Sequence, residues 1–530
     1  MSVKGSGSFV RQAAILAAAS LFVRFLGFLY RIPLTNLIGD EGMAYYTSAF
    51  QAYVVAIAIS SGYLPAAISK LVSERIALKE YSNAHTMFKT ALLYAGCISL
   101  FVGLVLGLGA GQIAGFLNLP GAAHAIRTFA PTIVIVALLA VFKGYFQGMK
   151  TAVPTALSQT VEQIFKVVST VLLAHIFFDA ANVYYAVAGA TAGTGIAAVT
   201  ALATVVVMYA FVAKDLRRRA ISDSGFRERK SIQVHAIIRT SLPMIIGTGI
   251  FAAAGILDIR MGTSGMLSSG AFTDYEMRAH LGQFTGKFIL LTTLPISLSL
   301  ALSAAVIPEI SSANVKLDTA GIKHKTDMAL RISMILSIPA AVGLAVLADP
   351  IIALLFPSLP DGGWLLRFGT SSIILISLVH VLTGALQGLG HIWLPAIAAF
   401  FGVIIKIPIN YILIRIPLIN ILGAVISTIV CYLVASGINM YFLYKHTGIL
   451  PSLSSAFFKP LIASAGMGMI CYGIYHTLYS VIPTGIATML ALAVSGGAYI
   501  LFMCFMKGFR QSDLQVLPLP GKIRGWLQRL

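Results

Sequence analysis

The chain has 530 residues, 58% of them hydrophobic and only 10% charged, against roughly 45 to 50% apolar and about 25% charged for a soluble domain. Its apolar residues fall in successive runs of about 20, the length that crosses roughly 30 Å of hydrocarbon, so an ordinary soluble globular protein is excluded. The 37 Lys and Arg against 18 Asp and Glu give +19; in a membrane protein such an excess belongs to basic cytoplasmic loops rather than to nucleic acid, and no nucleic-acid partner is expected.

Taken in chain order, membrane spans are expected near 10–33, 43–68, 87–112, 124–148, 154–178, 184–213, 237–260, 280–308, 328–356, 364–388, 392–414, 417–444, 456–479 and 485–506. This predicts an all-α, polytopic fold of about 14 transmembrane helices, because each run is continuously apolar and an isolated span satisfies its backbone internally only as a helix. The first run carries two arginines, is too long for a cleavable signal and lacks a small-residue cleavage site, so it reads as a span. With the N-terminus inside, about 24 of the cations fall in inner segments and about four in outer ones. Both termini are therefore expected in the cytoplasm. The stretch Lys214 to His235, with Arg217, Arg218, Arg219, Arg227, Arg229 and Lys230, reads as a solvated connector facing anionic headgroups, and the tail 507–530 as a short interfacial segment.

An internal repeat divides the chain. Gly144, Gln147 and Gly148 recur as Gly384, Gln387 and Gly388, Lys166 as Lys406, Pro154 as Pro395 and Phe129 as Phe368, at offsets of 239 to 241 that preserve span number. Six spans separate the copies, so the halves run parallel. The expected organisation is a lobe at 1–213, a basic linker at 214–236, a second lobe at 237–446, two further helices at 447–506 and the tail: two pseudo-symmetric six-helix lobes plus two C-terminal helices.

Cys97, Cys431, Cys471 and Cys504 lie inside apolar runs with no CxxC pair, and the ten histidines form no metal-ligand spacing. No metal, cofactor or redox chemistry is expected. Charges at bilayer depth cost at least about 2.5 to 3.5 kcal/mol each and normally face a polar interior. Arg24 and Arg31 in span 1, Glu162 and Lys166 in span 5, Lys287 in span 8 and Lys406 in span 11 are the candidate substrate-binding residues; there are no candidate catalytic ones. Arg24 and Arg31, seven apart, share a helix face with Gly27 between them. Rise per residue puts Arg24, Lys166 and Lys406 roughly 18 to 21 Å from the inner end of their spans. Bland alternatives stay open: Arg31 is close enough to the outer interface to snorkel, and Glu162 and Lys166, an i,i+4 pair, could neutralise each other. Asp258 is the acid best placed to partner the remaining cations. Five cations against one embedded acid make a positive cavity, which suits an anionic cargo such as a pyrophosphate on a lipid carrier.

Val23-Arg24-Phe25-Leu26-Gly27-Phe28, Leu37-Ile38-Gly39, Gly62-Tyr63-Leu64-Pro65-Ala66, Ser69-Lys70-Leu71-Val72-Ser73-Glu74 and Val161-Glu162-Gln163 with Lys166 resemble the polysaccharide-biosynthesis branch of the multidrug/oligosaccharidyl-lipid/polysaccharide (MOP) exporter superfamily, the stage V sporulation protein B and MurJ-like lipid II flippases. The resemblance implies two six-helix lobes, an inward-to-outward rocking cycle and cavity arginines that contact a lipid-linked pyrophosphate. Arg24 matches the family's first-span arginine. Arg31 is displaced by one position, with Tyr30 in the expected place; the second-span arginine is absent from Ala56 to Ser61; Lys287 falls near the eighth-span arginine. The implied protein is a flippase, not an enzyme, carrying an undecaprenyl-pyrophosphate-linked saccharide across the bacterial plasma membrane as a monomer among membrane lipids. Two rivals remain. A drug or cation antiporter of the same superfamily would need cavity acids, and a membrane glycosyltransferase or polymerase would need carboxylates on a sizeable outer loop, for which 261–279 offers only Asp274 and Glu276.

Overall fold

The computed structural model describes residues 22–179, 182–221, 227–448 and 452–509. The first half of the first expected span, most of the basic linker's centre and nearly all of the tail lie outside the described residues. Those described form helices and turns with no strand among them. Eleven described stretches are long and apolar enough to cross a membrane. One of these, Phe22–Ala77, holds two of the expected spans, and Val153–Ile176 and Lys230–Ser268 supply the fifth and seventh. The protein is an all-α, multi-pass membrane protein whose long helices are consistent with about fourteen crossings.

By contact the chain forms two compact units, residues 1–264 with 274–282, and residues 265–273 with 283–530. In the first unit a helix at residues 22–29 (α1) passes through Tyr30 into α2, Arg31–Ser60. The loop expected between spans 1 and 2 shrinks to a kink at Gly39, whose φ of 72° suits a residue without Cβ. Span 2 in turn breaks at Ser61 and Gly62, whose amides both reach the Ile57 carbonyl, and resumes as α3, Leu64–Ala77, with Pro65 in its first turn where a missing N–H costs nothing. There follow α4 (Tyr81–Leu108), the short α5 (Ala110–Phe116), α6 (Ala122–Gly148), α7 (Val153–Ile176), α8 (Val183–Ile221) and α9 (Lys230–Ser268). On α4 the residues Leu93, Leu100, Phe101, Leu104 and Leu108 are exposed at helical spacing, the apolar face a bilayer requires. Its opposite face packs Phe88 against Tyr145 and Phe142 of α6, at ring separations of 4.4 and 5.1 Å.

The outer connection expected at 261–279 is shorter than the hydropathy suggested. Helix α9 continues to Ser268 and α10 (Asp274–Gly282) begins after five intervening residues. α10 lies against α2, with Arg278 2.8 Å from Glu41. The eighth span then runs through a π-helical turn, Gln283–Phe288, into α11, Ile289–Val315, the first long helix of the second unit. After it come α12 (Thr319–Val346), the short α13 (Ala348–Leu355), α14 (Gly363–Gly369), α15 (Ser371–Gly388), α16 (Trp393–Leu413), α17 (Leu422–Thr447), α18 (Leu453–Leu478) and α19 (Thr484–Phe505). The ninth and tenth expected spans are thus each broken, at Leu347 and Thr370. In the second unit a run of buried hydroxyls joins three helices: Ser333 donates to Ser299 at 2.8 Å, Ser299 and Ser337 lie 3.2 Å apart, and Ser337 donates to Ser377 at 2.8 Å.

The repeat has a packing basis. A Cβ on Gly144 or Gly148 would come within 2.8 Å of Pro65 or Val72 on α3; one on Gly384 or Gly388 would come within 2.5 Å of Ser303 or 2.9 Å of Ile307 on α11. In each unit the paired glycines let two backbones cross closely. Tyr46 and Phe50 stack at 6.3 Å in the first unit as Phe284 and Phe288 do at 5.8 Å in the second. The match of Phe129 to Phe368 does not extend to packing: Phe129 is buried and stacks on Tyr53 at 4.4 Å, whereas Phe368 is exposed on α14.

Candidate functional site

Two of the six candidates meet around one aromatic ring. The guanidinium of Arg31, at the start of α2, lies 5.7 Å from the centre of Phe50, which follows nineteen residues later, beyond the kink at Gly39. From α7 the Lys166 ammonium lies 5.3 Å from the same ring and 5.4 Å from that of Tyr30. Tyr30 and Tyr46, both buried, hold each other hydroxyl to hydroxyl at 3.2 Å, which fixes the turn that presents Arg31. Behind Phe50 stand Phe129 at 6.2 Å and Tyr53 at 5.9 Å, so the ring is wedged and its cation-bearing position is set. Neither Arg31 nor Lys166 has a carboxylate within ion-pair distance among the described residues. Ring faces attract a cation by about 0.5 to 2 kcal/mol, leave most of its N–H donors unused and supply no counter-charge.

Glu162 does not take the partner its spacing suggested. Its carboxylate lies 3.2 Å from the ammonium of Lys143 on α6 and makes no ion pair with Lys166, one turn further along α7. Lys143 was the residue missed from sequence. Its place near the end of span 4 let it pass as a boundary lysine, and Glu162, the acid on the next span, was matched to Lys166 instead.

Arg24 sits exposed on α1. In the second unit Lys406 is buried on α16, on the same face as Pro395, Gly402 and Asn410. A Cβ on Gly402 would stand 2.7 Å from the Cys431 carbonyl oxygen, so this face is the one turned to α17. Asp258 is half-buried on α9.

Lys287 departs from the expectation of a cavity cation. It is fully buried within the π-helical turn, and its ammonium donates to the carbonyls of Leu359 at 2.8 Å and Asp361 at 2.9 Å, with Phe356 at 5.7 Å. Its charge is set on the connection between α13 and α14, where backbone oxygens replace the water that burial removes. The six candidates therefore divide into an aromatic-backed pair, an acid held by Lys143, an exposed arginine, a buried lysine facing protein and a buried loop clamp.

Comparison with known proteins fits this architecture. The polysaccharide biosynthesis protein family matches residues 9–314 and the MatE family residues 285–412. The chain is 26% identical over 536 residues to the uncharacterized membrane protein YabM of Bacillus subtilis, covering 98% of this chain and 96% of the relative. It is 23% identical to stage V sporulation protein B of the same organism, over 97% and 99% of the two chains, and 25% identical to its lipid II flippase MurJ, over 98% and 99%. A solved structure of lipid II flippase MurJ in an inward closed conformation superposes with a TM-score of 0.67 at 16% identity, covering 93% of this chain and 98% of that one. An inward-facing multidrug resistance MATE transporter superposes at 0.65, covering 80% and 94%, also at 16% identity. With more than half its length matched, the chain belongs to the polysaccharide biosynthesis protein family, in the stage V sporulation protein B and MurJ-like branch of the MOP exporter superfamily.

Proposed function

We propose that this protein is a flippase that moves a lipid-linked, pyrophosphate-bearing saccharide precursor from the inner to the outer leaflet of the bacterial plasma membrane. The observation that carries the reading is the pair Arg31 and Lys166, two cations 5.7 and 5.3 Å from the centre of the Phe50 ring with no carboxylate in ion-pair range among the described residues. An arginine offers a planar fork that matches two phosphate oxygens, and a lysine a point charge beside it. Arg24, exposed on the preceding helix, is assigned the first contact with the headgroup. Lys406 is assigned a supporting charge in the second lobe; Glu162, held by Lys143, is assigned no contact with the headgroup. Transport proceeds by alternating access between lobes at 1–213 and 237–446, in a monomer with both termini in the cytoplasm; the saccharide stays in the polar interior and the prenyl chain in the bilayer. The named activity of the B. subtilis MurJ relative supports this reading.

The test is binding of undecaprenyl pyrophosphate to the purified protein in nanodiscs. Arg31→Ala and Lys166→Met should each weaken binding about tenfold or more, as expected for loss of one charge-assisted contact of roughly 1.5 to 3 kcal/mol. Unchanged binding in both variants would remove the site. Restored growth of a cell depleted of its lipid II flippase would then fix the cargo class.

The drug or cation antiporter is the second reading, favoured by the MATE-like superposition and the match at 285–412. Among the described residues the acid nearest this site in sequence, Glu162, is already held by Lys143, which weighs against the antiporter. The shortness of the 269–273 connection between α9 and α10 weighs against a polymerase or glycosyltransferase.

A further inference from the structure

We propose that Lys143 is a positioning residue for the anion site: by holding Glu162 it keeps that carboxylate off Lys166, and so leaves the Lys166 ammonium available to a phosphate. The inference rests on the reading of Arg31 and Lys166 as a phosphate-binding pair. Glu162 precedes Lys166 by four residues on α7, the order and spacing at which Glu and Lys pair most readily on a helix. The pairing is nevertheless not made. Glu162 reaches across to α6 instead, 3.2 Å from Lys143, with the two side chains 31% and 13% exposed. Such shelter from water makes a lone carboxylate costly there, so it must take a cation. Lys143 on α6 stands at 3.2 Å, and the i,i+4 spacing on α7 offers Lys166 as the other choice. Occupation by Lys143 is what leaves Lys166 lying against Tyr30 and Phe50 rather than against an acid.

The two lysines are thus unequal by design. Lys143 neutralises the local acid, and Lys166 carries the uncompensated charge that a pyrophosphate needs. Without Lys143 the Glu162 carboxylate turns one helical turn along α7 onto Lys166, and the site loses a cation while the chain keeps the same number of acids. An anionic headgroup then meets a neutralised pair instead of an ammonium.

The experiment measures undecaprenyl pyrophosphate binding to the full-length protein in nanodiscs for Lys143→Met, Glu162→Gln, the double variant and Lys166→Met. Lys143→Met should weaken binding on the order of tenfold, the scale of one lost charge contact in a half-sheltered site. The double variant should recover it to within about twofold, since no acid remains to capture Lys166, and Lys143→Arg should bind like the parent. Glu162→Gln alone should bind as tightly as the parent or more tightly. If Lys143→Met does not accumulate in the membrane, the Glu162→Gln result decides, and weaker binding there overturns the proposal. A double variant as weak as Lys143→Met also overturns it, as does parental binding by Lys143→Met alongside a weakened Lys166→Met. Parental binding by Lys166→Met would overturn instead the phosphate site on which the inference rests.

Discussion

A methyl group placed on Gly27 would stand 3.2 Å from the amide nitrogen of Gln163. The glycine lies between Arg24 and Tyr30 on the first span, and Gln163, buried, comes from α7 directly beside Glu162. The close approach of α1 to α7 at this point sets how far the aromatic-backed lysine stands from the arginines.

Gly27→Ala should therefore be tolerated, because the Gln163 amide is the far end of a side chain and can move by a few tenths of an ångström. Gly27→Leu should lower transport at least tenfold with membrane abundance reduced less than twofold, a volume effect of the kind that overpacking produces at about 1 to 3 kcal/mol. Complementation growth rate against immunoblot level separates the two effects; equal activity of Leu and Ala variants would mean that α1 and α7 are not held at this contact.

Lys287 should behave as a structural residue. Lys287→Met leaves the Leu359 and Asp361 carbonyls without their shared donor, at a cost of about 1 to 3 kcal/mol. The purified variant should melt several degrees lower, while its folded fraction binds undecaprenyl pyrophosphate within about twofold of the parent. A variant with parental melting and lost binding would return Lys287 to the ligand.

The topology follows from positions within the described residues. Cysteines substituted for Lys79, Lys150 and Leu317, each a left-handed residue just past a helix end, should react only with membrane-permeant reagents in intact cells. Cysteines at Asp274 and Ser358 should react with impermeant ones, in a background lacking the four native cysteines. Labelling of Lys150 from outside would invert the assignment.

The turn between α15 and α16 carries a titrating contact. The ring of His391 lies 4.1 Å from that of His446 at the end of α17, and burial, then the charge of His446, lowers the His391 pKa from its ordinary 6.5. A depressed pKa means that the unfolded chain binds the proton more readily. The stabilisation from neutral His391 is complete above about pH 6.5 and is lost as pH falls through the folded-state value. Thermal melts at pH 7.5 and 5.5 should show a drop on acidification that is smaller in His446→Gln; an identical drop in the variant would remove His446 as a cause.

Spans were legible because an apolar run needs no partner to be recognised, and the glycine pairs of the repeat were legible because both copies meet the same packing demand. The breaks at Gly39, Leu347 and Thr370 were not, since hydropathy is blind to a single residue's dihedral angles. Lys287 could be seen as a buried charge, but its acceptors lie 72 and 74 residues onward and are backbone atoms, which no residue type announces. Glu162 was matched to Lys166 by helical spacing alone; the nearer ammonium, Lys143, comes from another helix and is revealed only by packing.

The hydroxyl chain of Ser333, Ser299, Ser337 and Ser377 threads α12, α11, α12 again and α15. Sliding any one of these helices by a fraction of a turn would strand an alcohol where no solvent can replace its mate. Their longitudinal register is thereby locked tooth by tooth, as in a ratchet with its pawl engaged. Sliding these three helices past one another therefore has to break at least one of these bonds, which bending at their ends and breaks does not.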